Sequence, residues 1–398
     1  MVTVWSELTG QSEAIALFRA AAGFQPGAVA DAERAAAQDS TASGPHNQMT
    51  HSWLITGPAG SGRSNLAYAF ATALLSGNPD GDDATAAQVA ARSHPDLQVL
   101  TTEGVIIKIA DVRETVRRSH YSPSVGRYRV IIVEDADRMA EHASNVLLKE
   151  LEEPPERTVW ILCAPSEADL LPTIRSRVRS VRLRVPSVAD VAELLVKRNG
   201  ISAELAERAA REAQSHIGMA QRLATSAEAR DRRHETLVTA LNVRTVSNAV
   251  MAAARLMAIA GDDAEAITLQ RDAAEREHTL RSLGIAPGQA IPPALRGQIK
   301  ALEDDQKRRA KRSLRDGIDR ILVDLSSLYR DVIMLQLGRT DAVINRELGS
   351  KLDEAASRSS PAETLATLDA ITIARHRIEA NVAPVLALEA MLVSFRRP

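Results

Sequence analysis

A short glycine-rich segment has the residue types and the spacing to bind a phosphate group. It reads Gly-Pro-Ala-Gly-Ser-Gly-Arg-Ser and follows an apolar stretch. Glycines allow backbone angles that other residues resist, so successive N–H groups can point at one anion at the start of a helix. The spacing is that of the P-loop, G-x-x-x-x-G-K-[ST], in which the serine hydroxyl binds magnesium. The candidate nucleotide-binding residues are Gly57, Pro58, Ala59, Gly60, Ser61, Gly62, Arg63 and Ser64.

One residue of this segment departs from the P-loop pattern. Arg63 stands where the pattern has lysine. Arginine keeps the positive charge, but its planar guanidinium is bulkier than an ammonium group and does not fit the same place between phosphates. We therefore expect a P-loop fold, with productive binding of ATP and magnesium as the less favoured outcome. The alternative, a strand–helix turn that binds no ligand, explains the glycines but not the spacing from Gly57 to Gly62.

Two carboxylates follow a fully apolar segment, residues 130–133, which is typical of a central parallel strand covered on both faces. Glu134 and Asp135 thus lie at the C-terminal end of a strand, where open α/β sheets bind ligands. Downstream of a P-loop they correspond to the Walker B carboxylates, which hold magnesium and polarise a water. The usual order is Asp then Glu. The reversed order changes the reach of each carboxylate by one methylene, which is serious for a site that works by positioning. The alternative is a solvated acidic strand end.

Strands and helices alternate between residues 52 and 185, which predicts a doubly wound parallel sheet in an α/β domain. Strands are predicted at 53–56, 97–100, 105–109, 130–133, 158–163 and 181–185, and helices from about Gly62, from a capping box at Asp111 and Glu114, and at 142–153. From residue 187 onward the pattern is helical. One apolar stripe there comprises Ile318, Ile321, Leu322, Leu325, Leu328, Val332 and Leu335.

The length and composition of the chain exclude several classes of protein. A chain of 398 residues suffices for two or three domains, and a net charge of −2 gives no general field for nucleic acid or anionic membranes. Aromatic content of 3% is low for a protein that stacks bases. The single cysteine, Cys163, excludes a disulfide framework and a multi-cysteine zinc site. No secretory signal and no apolar segment of about 18 residues is present, so we expect a cytoplasmic protein without membrane contact.

Three segments have no apolar periodicity. Residues 23–48 are rich in Ala, Gly, Ser and Asp, which predicts a mobile surface insertion. Residues 76–93 are polar and alanine-rich, with a turn cluster at 77–81. Residues 283–293 contain glycines and prolines that predict a break between two helices.

Four motifs occur in the order seen in bacterial clamp loaders. Besides the P-loop and the acidic strand end, they are Asn-Val-Leu-Leu-Lys-Glu-Leu-Glu-Glu-Pro-Pro at 145–155 and Arg-Ser-Arg-Val at 175–178. The motif at 145–155 is much rarer than a P-loop and is the most specific of the four. From about residue 4 to 184 the chain resembles the delta-prime type of DNA polymerase III clamp-loader subunit, in its actinobacterial form. The resemblance continues more weakly across the helical remainder.

The resemblance implies one chemically active residue. The Ser-Arg-Cys motif of the family matches Ser176, Arg177 and Val178, with valine in place of cysteine. In the family this arginine is a finger that reaches the ATP site of the neighbouring subunit and stabilises charge on the transferred phosphoryl group. Arg177 would therefore act in trans. The alternative is an ordinary surface arginine among Arg175, Arg179 and Arg182.

Several departures from the family pattern concern nucleotide handling. They are Arg63, the reversed Glu134 and Asp135, the apolar Ala164-Pro165 at a phosphate-sensing position, and Gly218 where a second sensing arginine is aligned. A chain that must hydrolyse ATP is not expected to show all of them. Clamp-loader subunits also commonly carry a zinc module after the P-loop helix. Residues 76–93 contain no cysteine, so no zinc is expected there.

The resemblance implies three domains: a P-loop AAA+ domain at 1–186, a three-helix lid at 187–235 and a helical collar at 236–398. It implies a stator that requires no cofactor and joins motor (tau/gamma) and delta subunits in a ring. That ring loads the sliding clamp onto primer–template DNA. Such a chain belongs to a polymerase holoenzyme, a nucleotidyltransferase, without polymerase or ATPase activity of its own. The alternatives are an active AAA+ ATPase, either a motor subunit or a repair or remodelling enzyme, and a plain helical scaffold.

Overall fold

The computed structural model describes residues 3–6, 8–23, 49–102, 106–282 and 296–395. The chain divides into two compact units, Met1–Gln221 and Arg222–Pro398. Each unit has hydrophobic core clusters of its own. The division into three domains at residues 186 and 235 stays a prediction.

The first unit is built around five parallel strands in the order β2-β3-β4-β1-β5. Every side chain of β1, β3 and β4 is buried, whereas β5 lies at the edge and exposes three of its four side chains. This confirms the predicted doubly wound parallel sheet. The strands are β1 (Ser52–Thr56), β2 (Leu97–Leu100), β3 (Arg129–Val133), β4 (Thr158–Ala164) and β5 (Arg179–Arg182).

Both faces of the sheet are covered because successive side chains of a strand point to opposite faces. Trp53 and Val130 belong to the core cluster on one face, which includes Phe18 and Phe70. Leu54 and Trp160 belong to the cluster on the other face. The helices are α1 (Ser12–Ala22), α2 (Arg63–Ser76), α3 (Asp83–Ala90), α4 (Ile109–Ser119), α5 (Glu141–Glu152), α6 (Pro172–Arg175), α7 (Val188–Asn199), α8 (Ala203–Glu212) and α9 (Ile217–Thr225).

The second unit is helical over its described residues. Its two longest helices, α11 (Val246–Ser282) and α12 (Arg296–Gln336), run antiparallel, since Arg276 pairs with Glu303 and Arg309 pairs with Asp272. The predicted apolar stripe on α12 is confirmed, because six of its members are buried and Leu335 packs against the same core. The helices are α10 (Ala227–Leu241), α11 (Val246–Ser282), α12 (Arg296–Gln336), α13 (Gly349–Ser357), α14 (Pro361–Glu379) and α15 (Pro384–Ser394).

Several local predictions are wrong. The strand at 105–109 does not form over its described residues: Ile107 makes an isolated bridge to Met139, and α4 begins at Ile109. Asp111 caps no helix, because it lies inside the first turn of α4, and Glu114 pairs with two arginines of the same helix instead. Residues 76–93, for which the sequence predicted only a turn cluster at 77–81, also contain a helix, α3, capped by Asp82. The last strand occupies Arg179–Arg182 rather than 181–185.

Two predicted loops fall largely outside the described residues: all but one residue of the insertion at 23–48, and the break at 283–293. No helix within the described ranges is long and apolar enough to cross a membrane.

Candidate nucleotide site and arginine finger

The P-loop backbone is formed between β1 and α2. Gly62 precedes α2 with a left-handed φ of 90°, and no side chain caps this helix. The first turn of α2 also contains no acidic residue. The first N–H groups of a helix have no partner within the helix, so this turn keeps the geometry that binds an anion. The strand, the glycine turn and the helix follow one another as a P-loop requires, and nucleotide binding by this loop stays a prediction.

Arg63 turns back onto its own loop. Its Nη1 donates to the carbonyl oxygen of Gly57 at 2.9 Å. The N–H of Gly57 in turn donates to the carbonyl oxygen of Pro165 at 3.2 Å, in the apolar segment where a phosphate sensor was expected. The hydroxyl of Ser61 is buried and finds no hydrogen-bond partner in the described part of the chain. Both backbone polar groups of Gly57 thus form hydrogen bonds within the protein.

The turn before α9 packs directly on the P-loop. A Cβ placed at Gly60 would lie 2.3 Å from Cγ of His216, and Gly60 has a left-handed φ of 77°. Only glycine fits this close approach without movement. Gly218, aligned with the second sensor, lies in the first turn of α9 and faces the same imidazole.

Glu134 is engaged by two side chains. The Tyr68 hydroxyl donates to its Oε1 at 2.5 Å, and Arg92 Nη2 donates to the same oxygen at 3.2 Å. Burial raises the pKa of Tyr68 well above its usual range, and the contact with Glu134 raises it further, so the phenol stays a donor. Because both contacts compete with a metal ion for this carboxylate, they oppose a Walker B function.

Asp135 and Asp137 follow β3 at the same edge of the sheet. Asp135 has a left-handed φ of 52°, which is uncommon outside glycine and concentrated at functional or strained sites. Burial raises the pKa of Asp137, and its Oδ1 has no partner among the described residues. Sequence reasoning did not select Asp137. Burial also raises the pKa of the Cys163 thiol to about 12, so this cysteine is an inert core residue.

Arg177 lies by the N-terminal end of β5, whereas the P-loop follows the C-terminal end of the neighbouring strand, β1. β1 and β5 are parallel, with Trp53 opposite Arg179 and Thr56 opposite Arg182. Arg177 precedes β5, whereas the P-loop follows the far end of β1. At about 3.3 Å per residue, the strands alone separate the two by about 10 Å or more. Arg177 is therefore not placed to serve the P-loop of its own chain.

The guanidinium of Arg177 has partners within the chain. Its Nε donates to Oε1 of Glu152 at 2.5 Å, and its Nη1 donates to the carbonyl oxygen of Thr173 at 2.7 Å. Sequence reasoning missed Glu152 as a partner. The available signal was its place in the specific motif at 145–155, near the end of α5 and close to Pro154-Pro155.

Among the described residues, no group of three or more His, Cys, Asp or Glu side chains is arranged to hold a metal ion. The expectation that the chain needs neither zinc nor another cofactor stays a prediction.

Part of the chain is similar to known subunits of DNA polymerase III. The family model of the DNA polymerase III delta subunit matches residues 33–187. A DNA polymerase III delta-prime subunit of Pseudomonas aeruginosa is 35% identical over 157 residues, 38% of this chain and 48% of that protein. A gamma/tau subunit of Mycobacterium tuberculosis is 30% identical over 156 residues, 38% of this chain and 27% of that protein. Over about 156 residues the chain is therefore similar to delta-prime and gamma/tau subunits of DNA polymerase III.

These matches do not separate a delta-prime subunit from a gamma/tau subunit. The chain spans about half the length of the Pseudomonas relative and about a quarter of the gamma/tau relative. A gamma-subunit-related protein of Thermotoga maritima is similar in structure over 86% of this chain and 93% of that one, with 18% identity and a TM-score of 0.43. A likeness this weak does not bear on function.

Proposed function

We propose that this chain is the delta-prime-type subunit of a DNA polymerase III clamp loader, a stator that hydrolyses no ATP. It would join gamma/tau motor subunits and a delta subunit in a ring that loads the sliding clamp onto primer–template DNA in the cytoplasm. Arg177 would act on the ATP site of the neighbouring motor. The observation that carries the proposal is the position of Arg177, which lies by the N-terminal end of β5 and away from the P-loop of its own chain.

Three contacts support the absence of ATPase activity. Arg63 binds the loop carbonyl of Gly57, and Glu134 accepts hydrogen bonds from Tyr68 and Arg92. A working P-loop site needs a cation on the phosphates and a carboxylate on magnesium. Here both groups have partners within the protein.

The arginine finger is tested in the assembled ring. We expect Arg177→Ala to lower the DNA-stimulated ATPase of a loader reconstituted with gamma/tau and delta subunits. Removing a finger costs on the order of 10³-fold at the site it serves, so turnover should fall to what the remaining sites supply. Arg175→Ala is the matched control, since Arg175 is exposed at the end of α6, two residues before Arg177. Unchanged turnover in an assembled Arg177→Ala ring would refute the finger.

The motor function is the second candidate, because the helix after the glycine-rich turn keeps an uncapped N-terminus and a gamma/tau subunit is 30% identical over 156 residues of the chain. Equilibrium binding of magnesium-ATP to the isolated chain, followed by a turnover assay on the same sample, separates the two. A stator shows no binding, or binding without turnover. Tight binding with steady hydrolysis would identify a motor.

A further inference from the structure

The first half of α12 presents a row of exposed basic side chains that the proposed function does not use. The row comprises Arg296, Lys300, Lys307 and Lys311, all exposed. An α-helix turns by about 100° per residue, so the four positions fall within a sector of about 60°. We call these four residues the basic row.

Neighbouring arginines are neutralised by carboxylates, but the basic row is not. Arg309 pairs with Asp272 and Glu275 across the helical hairpin, and Arg312 pairs with Asp316. The four members of the basic row have no ion-pair partner within the ranges that the structure describes. Two acidic residues, Glu303 and Asp304, lie beside them on the helix surface, and Glu303 pairs with Arg276. The row therefore keeps a net positive charge along one side of α12.

The dimensions of the row suit a phosphate backbone. Lys307 and Lys311 are separated by about 6 Å along the helix, and the whole row spans about 22 Å. One DNA strand advances about 3.4 Å per phosphate, so the row matches about six phosphates. Lysines are flexible point charges, which suits contacts to phosphates rather than to particular bases.

Base stacking is not available in the second unit. Its only aromatic residues are Tyr329 and Phe395, and these pack against each other with ring centroids 5.0 Å apart. Both are buried. Proteins that bind single strands without sequence preference generally stack bases on aromatic side chains. The basic row therefore favours the backbone of a duplex over a single strand.

We propose that the basic row of α12 binds the phosphate backbone of duplex DNA without sequence preference. The choice of DNA over an acidic protein surface rests on the proposed function, since a clamp loader handles a primed duplex. The contact is electrostatic, and binding releases cations that are condensed on the DNA. Because this release becomes less favourable as the salt concentration rises, the affinity should fall with salt.

The experiment measures binding of the full-length chain to a fluorescein-labelled duplex by anisotropy, from about 50 to 200 mM salt. We expect the double variant Lys307→Gln/Lys311→Gln to bind more weakly and to lower the slope of log K against log salt by about 2, because each lost phosphate contact removes about 0.9. The matched control is Lys351→Gln/Arg377→Gln. It removes the same charge from two exposed residues of α13 and α14 and should leave the slope unchanged.

Equal slopes for the wild type and the Lys307/Lys311 variant would overturn the proposal, as would equal losses in both double variants. Circular dichroism checks that the variants fold. Ring assembly with gamma/tau and delta subunits, measured on the same samples, separates this failure from failure of the proposed function. A variant that binds duplex normally but no longer assembles would make the row a protein contact, which also overturns the proposal.

Discussion

At the scale of single residues, the ion pair between Arg177 and Glu152 determines whether the Arg177 guanidinium can reach a neighbouring subunit. The two side chains are 31% and 47% exposed. Ion pairs exposed to this extent contribute about 0–1 kcal/mol, because water screens them and ordering the side chains costs entropy. Replacing the contact with Glu152 by one with a phosphoryl group bound to a neighbouring subunit therefore costs little free energy. The ion pair does not prevent Arg177 from acting in trans.

Glu152→Gln tests this competition. We expect the reconstituted loader to keep its ATPase or to gain up to a few fold, because the guanidinium is released, while the free energy of unfolding changes by less than about 1 kcal/mol. Steady-state turnover with primed DNA and denaturant unfolding of the isolated chain measure the two quantities. If Glu152→Gln instead loses as much ATPase as Arg177→Ala, Glu152 positions the finger rather than competing for it.

The residues of the candidate site were only partly predictable. The spacing from Gly57 to Ser64 predicted a P-loop because backbone geometry depends on local glycines. The contacts of Glu134 with Tyr68 and Arg92 join residues 66 and 42 positions apart, and no local pattern reports on them. The same is true of Arg177 and Glu152, 25 positions apart.

At the scale of elements, a buried carboxylate organises the loop that leads into β3. Asp96 is fully buried and accepts hydrogen bonds from the backbone N–H groups of Ser124, Val125 and Gly126 at 2.6–2.7 Å. Arg129 at the start of β3 adds a contact at 3.3 Å. Burial alone would raise the pKa of Asp96, but these donors outweigh it and hold the pKa below its usual range.

We expect Asp96→Asn to destabilise the chain by about 3 kcal/mol at neutral pH, because the amide leaves a buried donor or the arginine unpaired. The folded-state pKa is lowered, so the wild-type contribution is fully present above the unfolded pKa of about 3.9 and is lost as pH falls through the folded value. Denaturant unfolding from pH 8 to pH 3 measures this. The difference between wild type and variant should be constant down to about pH 5 and shrink below about pH 4. A difference that does not shrink would show that the charge is not responsible.

Helices and strands were predicted correctly where the apolar periodicity was strong, and predictions failed where polar side chains had other partners. β3 and the apolar stripe on α12 agree with prediction because burial drives both. The capping box at Asp111 failed because α4 begins earlier, at Ile109, and Glu114 pairs with Arg117 and Arg118 instead. α3 escaped prediction because Val89 is its only buried residue, so its sequence carries almost no amphipathic signal.

At the scale of the whole molecule, the two units differ in a way that allows each to be observed separately. All three tryptophans of the sequence, Trp5, Trp53 and Trp160, lie in the first unit and are buried. The second unit is helical over its described residues and contains no tryptophan. Tryptophan fluorescence therefore follows the sheet unit alone, whereas far-ultraviolet circular dichroism follows both.

Ile131 and Leu325 are fully buried in core clusters of different units. Truncating either to alanine should cost about 2–5 kcal/mol through lost burial and a residual cavity. Because the clusters belong to separate units, we expect Ile131→Ala to lower the fluorescence midpoint in denaturant and Leu325→Ala to lower only the dichroism midpoint. Each variant is the control for the other. If Leu325→Ala shifts the fluorescence midpoint as much as the dichroism midpoint, the chain unfolds as one cooperative body, and the two units depend on each other for stability.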